Sequence, residues 1–274
     1  MFWRTGNAQG SQGAGVERKR DEKCRGSDKV GQGMPEENEK VRQGMPEKAH
    51  RREYMAQIKI GRMVLGVCQT NCYFLYREGE KDCIVVDPAD KGGDIYRALQ
   101  KNGFRTAGIL LTHGHFDHIW GLDGLRAAAS AAAEADGLEP VKAYACQEER
   151  ELLKDVHQNV SEQAGRACST YADVYVKDGQ EITLAGMTCR VIATPGHTAG
   201  GCCYYFEEAG FLMAGDTLFA ESVGRTDFPT GSMGTLVRSI KDKLFILPEE
   251  TKVYPGHGES TTIGHEKKYN PFCG

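Results

Sequence analysis

The sequence predicts an α/β protein built as a four-layer sandwich, two packed sheets with helices on their outer faces. Three observations predict it. Strand-like apolar runs fall into two groups, one in each half of the chain, and helical stretches separate them. Histidines and aspartates recur where apolar runs end, as expected of side chains delivered from strand ends to one shared edge.

Residues 1–54 stand apart. They hold 12 Lys/Arg, 9 Asp/Glu and eight glycines with almost no clustered large apolar side chains. Such a segment cannot bury enough surface to offset its ordering entropy, so a disordered extension is expected, with the domain proper over 55–274. Gln32-Gly33-Met34-Pro35-Glu36 recurs as Gln43-Gly44-Met45-Pro46-Glu47, but two copies cannot build a repeat architecture. The basic cluster Arg18-Lys19-Arg20 and His50 read as parts of a solvated tail. Met55 opens the first regular pattern, so the extension is expected to be dispensable, or to reflect a misplaced start.

From Gln57 the chain is strand-rich. Ile58-Lys59-Ile60 alternates, and Cys72 to Tyr76 and Cys83 to Val86 read as strands around a turn at Gly79. Ile95, Ala98 and Leu99 follow at helical spacing with Gly103 as a stop. Ile109-Leu110-Leu111 reads as a buried strand. The alanine-rich stretch Leu122 to Ala135, closed by Gly137, is a helix on propensity. Val141 to Ala145 reads as a strand, Gln147 to Val156 as a helix, and His157 to Thr170 as a loop or lid. The second group of strands comprises Val174 to Val176, Glu181 to Leu184, Met187 to Ala193, Cys202 to Phe206 and Phe211 to Ala214.

Composition narrows the function. No run of ~18 apolar residues exists to span a membrane, and the first residues lack the apolar stretch of a signal peptide. The ten cysteines include no Cys-x-x-Cys pair, so they read as reduced thiols of a cytoplasmic protein. Cys68, Cys72, Cys202 and Cys203 are expected as small buried hydrophobes. Of the chain's 34 Lys/Arg and 38 Asp/Glu, 12 and 9 fall in residues 1–54, which leaves the rest at a net −7. A domain that acidic is a poor binder of nucleic acid.

The chemistry centres on Thr112-His113-Gly114-His115-Phe116-Asp117-His118. His113 and His115 are two apart, so in an extended segment their rings project the same way. Asp117 and His118 are adjacent and expected to diverge, with Gly114 letting the backbone turn. The spacing suits two neighbouring ions. Three further donors follow apolar runs beside a glycine: His197 after Thr194-Pro195-Gly196, Asp216 after Gly215, and His257 after Pro255-Gly256. His157 and His265 read as ordinary surface residues. Asp87, at a strand end, is either an acceptor for the far nitrogen of a ligand histidine or a turn cap.

These residues together make the sequence resemble the metallo-β-lactamase superfamily over residues 56–274. The resemblance implies the αββα sandwich, with one ion on His113, His115 and His197 and a second on Asp117, His118 and His257. Asp216 would bridge them. Gly215 to Phe219, Val223 to Phe228 and Tyr254 to Gly258 are similar to the glyoxalase II branch in its compact bacterial form. That implies hydrolysis of a small-molecule thioester of glutathione type, with Arg225 contacting the substrate, although Asp227 stands where those enzymes have a tyrosine. The expected cofactors are two divalent ions, zinc by preference, with iron or manganese compatible with the same ligands. Two such ions would activate a water for attack on the thioester carbonyl, with Asp117 orienting it and accepting a proton. The thiolate then leaves without a general acid, so no catalytic Ser or Cys is needed. The alternative on the same fold is a persulfide dioxygenase using a single Fe(II) on His113, His197 and Asp216. A β-lactamase is disfavoured because cysteine often stands there at the position of Asp216.

Overall fold

The computed structural model describes residues 57–273. The expected extension over 1–54, with His50, lies outside the described residues. The first sheet holds β1 (Ile58–Leu65), β2 (Thr70–Arg77), β3 (Asp82–Val86), β4 (Arg105–Leu110), β5 (Ala143–Cys146) and β6 (Val174–Val176), in that order. Strands β1 to β3 run antiparallel and β3 to β6 parallel. The second sheet is built from β7 (Glu181–Leu184), β8 (Met187–Ala193), β9 (Cys202–Phe206), β10 (Phe211–Gly215), β13 (Lys252–Pro255) and β14 (Thr261–Thr262), ordered β14-β13-β10-β9-β8-β7. A small hairpin, β11 (Leu218–Phe219) and β12 (Ser222–Val223), stands apart.

Strand alternation sorts the side chains into three apolar layers, which makes the architecture a four-layer αββα sandwich. Cys83, Val85 and Ile109 face outward onto Ile95 and Leu99 of α1 (Gly92–Lys101) and onto Leu122, Leu125, Ala129 and Ala133 of α3 (Leu122–Ala135). Their neighbours Ile84, Val86 and Leu110 point inward to Tyr204, Phe206, Phe211 and Met213 of the facing sheet. On the far side Cys203, Tyr205 and Leu212 pack against Leu236 of α5 (Met233–Ser239), the π-helical stretch Ile240–Leu244 that follows it, and Ile263 of α6 (Ile263–Tyr269).

Three expectations need correction. Val174 to Val176 belongs to the first sheet, paired parallel with β5, because alternation within a strand does not say which sheet it joins. The helix expected over 147–156 is a 3₁₀ turn, Gln147–Glu149, followed by the short α4 (Arg150–Lys154). It stops there because the Asp155 carboxylate accepts the backbone N–H of His157 and Gln158, which starts a new turn in competition with the helix. Cys72, Cys202 and Cys203 are buried, but Cys68 is exposed, in the tight β1–β2 turn.

The two sheets are tied together at one edge. Cys202 N–H donates to Thr112 O at 2.9 Å, Asn71 N–H to Gly256 O at 2.7 Å, and Tyr204 Oη to Leu111 O at 2.7 Å. That edge carries the site.

Candidate metal centre

All seven donors singled out in the sequence arrive at this edge. Past β4 the chain delivers His113 and His115, then turns into α2 (Phe116–Ile119), which carries Asp117 and His118. Beyond β8 comes His197, beyond β10 Asp216, and beyond β13 His257. Asp117 and His118 do not diverge as an extended chain would require; in a helical turn they sit about 100° apart, and both reach the same cluster of donors. Gly114, expected to let the backbone turn, lies just before α2. Its backbone is not left-handed, and its role is room: a Cβ there would lie 2.7 Å from Leu152 Cδ2 and 3.0 Å from Glu149 Oε2. Gly256 meets the same demand, since a Cβ would fall 2.2 Å from Asp216 Oδ1. His157 and His265 stay outside, paired with Glu162 and Glu221 on the surface.

The donors form adjoining groups. His197 Nε2 lies 2.8 Å from His115 Nδ1 and 3.2 Å from His113 Nε2. His257 Nε2 lies 3.2 Å from Asp117 Oδ2, and His118 Nε2 lies 3.7 Å from the same oxygen. Asp216 stands between, its oxygens 3.4 Å from His118 Nε2, 3.6 Å from His197 Nε2 and 3.4 Å from His257 Nε2. Ligand atoms of His113/His115/His197, of His113/His118/Asp216 and of Asp117/His118/His257 each lie within 4.8 Å of one another.

Hydrogen bonds on the far side of the rings fix which nitrogen faces inward. His197 Nδ1 donates to Arg225 O at 2.6 Å and His257 Nδ1 to Cys68 O at 3.2 Å. His118 Nδ1 donates to Asp87 Oδ2 at 2.9 Å. His113 Nδ1 lies 3.2 Å from Thr112 Oγ1, which itself donates to Asp87 Oδ2, so the threonine oxygen accepts from the ring. Each of these four rings therefore turns its Nε2 toward the other donors, whereas His115 faces them with Nδ1. Asp87 thus serves the ring nitrogens, the first of its two expected roles, and reaches them from a left-handed backbone at φ 51°. Such a conformation is sparsely populated outside glycine and persists where the surroundings require it.

Electrostatics divide the centre into two halves. Burial, with the crowding of neighbouring rings, drives His113 well below the ordinary histidine range and His115 to about 3. Burial lowers His197 as well. Burial would also lower His118 and His257, but Asp117 and Asp216 outweigh it, raising His118 far up and His257 to about 9. Against burial, His118 and His257 hold Asp117 down to about 2 and Asp216 well below the carboxylate range. His115 Nε2, His118 Nε2 and Asp216 Oδ1 are buried without a hydrogen-bond partner. Imidazole and carboxylate donors crowded this closely, two of them with orphaned atoms facing each other, fit divalent metal ions.

Three supporting groups gave no signal in the sequence. Thr70 Oγ1 donates to Asp117 Oδ2 at 2.7 Å. Asn71 Nδ2 donates to Pro255 O at 3.0 Å and Gly258 O at 2.9 Å, gripping the loop of His257. The Glu149 carboxylate accepts from Gly114 N, Thr198 Oγ1 and Gly200 N; burial raises its pKa, and those three bonds offset only part of the rise. All three residues look like ordinary surface or turn residues by type. Arg225 sits at the rim, exposed, with its guanidinium over the Phe228 ring and paired with Asp227 through Nε and Nη2 at 2.9 and 2.7 Å.

The family profile of the Metallo-beta-lactamase superfamily matches residues 65–257. The chain belongs to that superfamily. It is a metal-dependent hydrolase of this class, and some of its relatives carry matching names. The probable metallo-hydrolase YqgX of Bacillus subtilis is 34% identical over 217 residues, 78% of this chain and 97% of that protein. Hydroxyacylglutathione hydrolase GloC of Haemophilus influenzae is 31% identical over 210 residues, 74% of this chain and 92% of that protein. Among solved structures, the BLEG-1 B3 metallo-beta-lactamase superposes with a TM-score of 0.72 at 35% identity, covering 78% of this chain and 99% of that one. TTHA1623 in a di-iron-bound form gives 0.64 at 31%, with 77% and 99% covered. ETHE1 from Myxococcus xanthus gives 0.60 at 26%, with 78% and 83% covered.

Proposed function

We propose that the protein hydrolyses a small-molecule thioester of glutathione type, using two divalent ions. The observation that carries the two-ion reading is the placement of Asp216 between a group of three histidines and a group of Asp117, His118 and His257. The thioester is supported by the similarity to GloC, a hydroxyacylglutathione hydrolase. His113, His115 and His197 would hold one ion, Asp117, His118 and His257 the other, with Asp216 shared. Such ions supply Lewis acidity to a carbonyl oxygen and acidify water at neutral pH. Zinc suits the donor set, and the di-iron TTHA1623 supports iron as a second possibility.

The chain's own groups do the rest. Asp117, with Oδ2 held by Thr70, orients the attacking water and accepts its proton on the carboxylate. Far-side hydrogen bonds keep the histidine lone pairs aimed inward. Arg225 meets a substrate carboxylate at the rim through Nη1, the edge that Asp227 leaves open. A thiol leaving group has a pKa near ~8.5 and departs as thiolate without a protonating side chain.

The test pairs metal analysis with three assays: hydrolysis of S-D-lactoylglutathione, oxygen uptake with glutathione persulfide, and opening of a β-lactam. Two ions per chain and thioester hydrolysis are expected, with Asp117→Asn slowing turnover by about 10²–10⁴-fold. His257→Ala should lose one ion and most activity. One tightly held iron with oxygen uptake and no hydrolysis would overturn the reading in favour of a persulfide dioxygenase. Turnover of the β-lactam alone would overturn it in favour of the activity for which BLEG-1 is named.

A further inference from the structure

Glu149 is a buried acid that the chemistry above does not use. It is 0% exposed and sits at the end of the 3₁₀ turn after β5, on an element that contributes no donor to the cavity. Its carboxylate straddles the two loops that do. Oε2 accepts from Gly114 N at 2.8 Å, between His113 and His115. Oε1 accepts from Thr198 Oγ1 at 2.5 Å, next to His197, and from Gly200 N at 2.9 Å. Both loops close tightly on it: a Cβ on Gly114 would lie 3.0 Å from Glu149 Oε2, and one on Gly200 would lie 2.4 Å from Glu149 N.

The chemistry of that arrangement is specific. Three donors converge on an acceptor-only group, so all its bonds are charge-assisted and short. Burying a carboxylate is costly unless it is so bonded, and here every donor belongs to a loop that carries histidines. The three histidines themselves are neutral and bring no charge to a cation, whereas the neighbouring group has its own aspartate.

We propose that Glu149 is the positioning residue of the three-histidine group. It locks the loop of His113 and His115 to the loop of His197 and sets behind them a negative charge of their own, besides that of the shared Asp216. This rests on the two-ion reading above. It acts through Gly114, Thr198 and Gly200 and touches neither substrate nor ion.

The experiment counts ions and their affinities by equilibrium dialysis of the full chain against zinc, with cobalt absorption reporting coordination. Glu149→Gln removes the charge at constant size; Thr198→Val removes one donor; Thr198→Ser should restore it. In Glu149→Gln one ion should bind as in the wild type and the other about 10–100-fold more weakly, the range found when a partner behind a metal ligand is lost. Combined with His257→Ala, it should leave no tightly held ion. Should Glu149→Gln not fold, the Thr198 pair carries the same comparison, with selective weakening in Thr198→Val and recovery in Thr198→Ser. Two ions held at wild-type affinity in Glu149→Gln, or both weakened equally, would overturn the proposal. A wild-type chain that holds fewer than two ions would instead defeat the two-ion reading.

Discussion

What keeps four of the five converging imidazoles in order is the atom behind each one; His115 has none. Asp87, the Thr112 hydroxyl and the carbonyls of Arg225 and Cys68 take the outward N–H groups, which leaves Nε2 facing inward. Protonation divides the rings. In the metal-free protein His118 and His257 are held above the ordinary range by Asp117 and Asp216, His257 at about 9. A histidine raised on folding stabilises the metal-free protein fully below its unfolded value near ~6.5, and that contribution is lost as pH rises through about 9. A metal ion needs the neutral ring, so binding at this half must expel protons near neutral pH, and affinity should climb with pH up to that value. Calorimetric titration of the stripped protein with zinc, in buffers of different ionisation heat at pH 7, should show proton release that falls in His257→Ala. Heats that do not depend on the buffer would refute it. At this scale the candidate donors were legible because five are histidines, of which the chain has eight, and because all seven follow apolar runs. Glu149 was not, since a Glu148-Glu149 pair reads as solvated surface, and neither was Thr70, whose role exists only through Asp117 across 47 residues.

Among the elements, the start of β2 has the widest influence on the site. Thr70 holds Asp117, Asn71 holds the 255–258 loop through two carbonyls, and Tyr73 Oη donates to Pro255 O at 2.9 Å. Asn71→Ala should remove one buried and one part-buried hydrogen bond and leave Pro255 O with the tyrosine alone. The expected cost is about 1–3 kcal/mol in urea unfolding, together with weaker retention of the ion assigned to His257. An unchanged midpoint with unchanged metal content would show that the loop holds itself. The long strands and the alanine-rich helix were readable because period-2 and helical patterns ran for several residues. The hairpin β11–β12, the two-residue β14 and the helices after Ser232 were not, since two to seven residues leave no period to detect. The sheet membership of β6 was beyond any local pattern, because the whole crossover from Gln147 to Asp173 decides it.

For the molecule as a whole, the four layers follow from three apolar clusters, and the architecture was readable from the two groups of strands. The domain boundary follows the same logic. The described fold begins with β1 at Ile58, and the family match lies within 65–257, so a chain begun at Met55 should retain metal content and turnover. Its melting temperature should stay within about 2 °C of the full chain; a larger drop would assign the first 54 residues a part in stability. Four of the seven donors come from the segment after β4 and three from the second sheet. An ion seated among them is bonded to both halves of the chain at once, at the edge where Asn71, Cys202 and Tyr204 already stitch the sheets. It would be a rivet as well as a reagent, and a chelator that withdrew it would unfasten the sandwich along its most heavily used border.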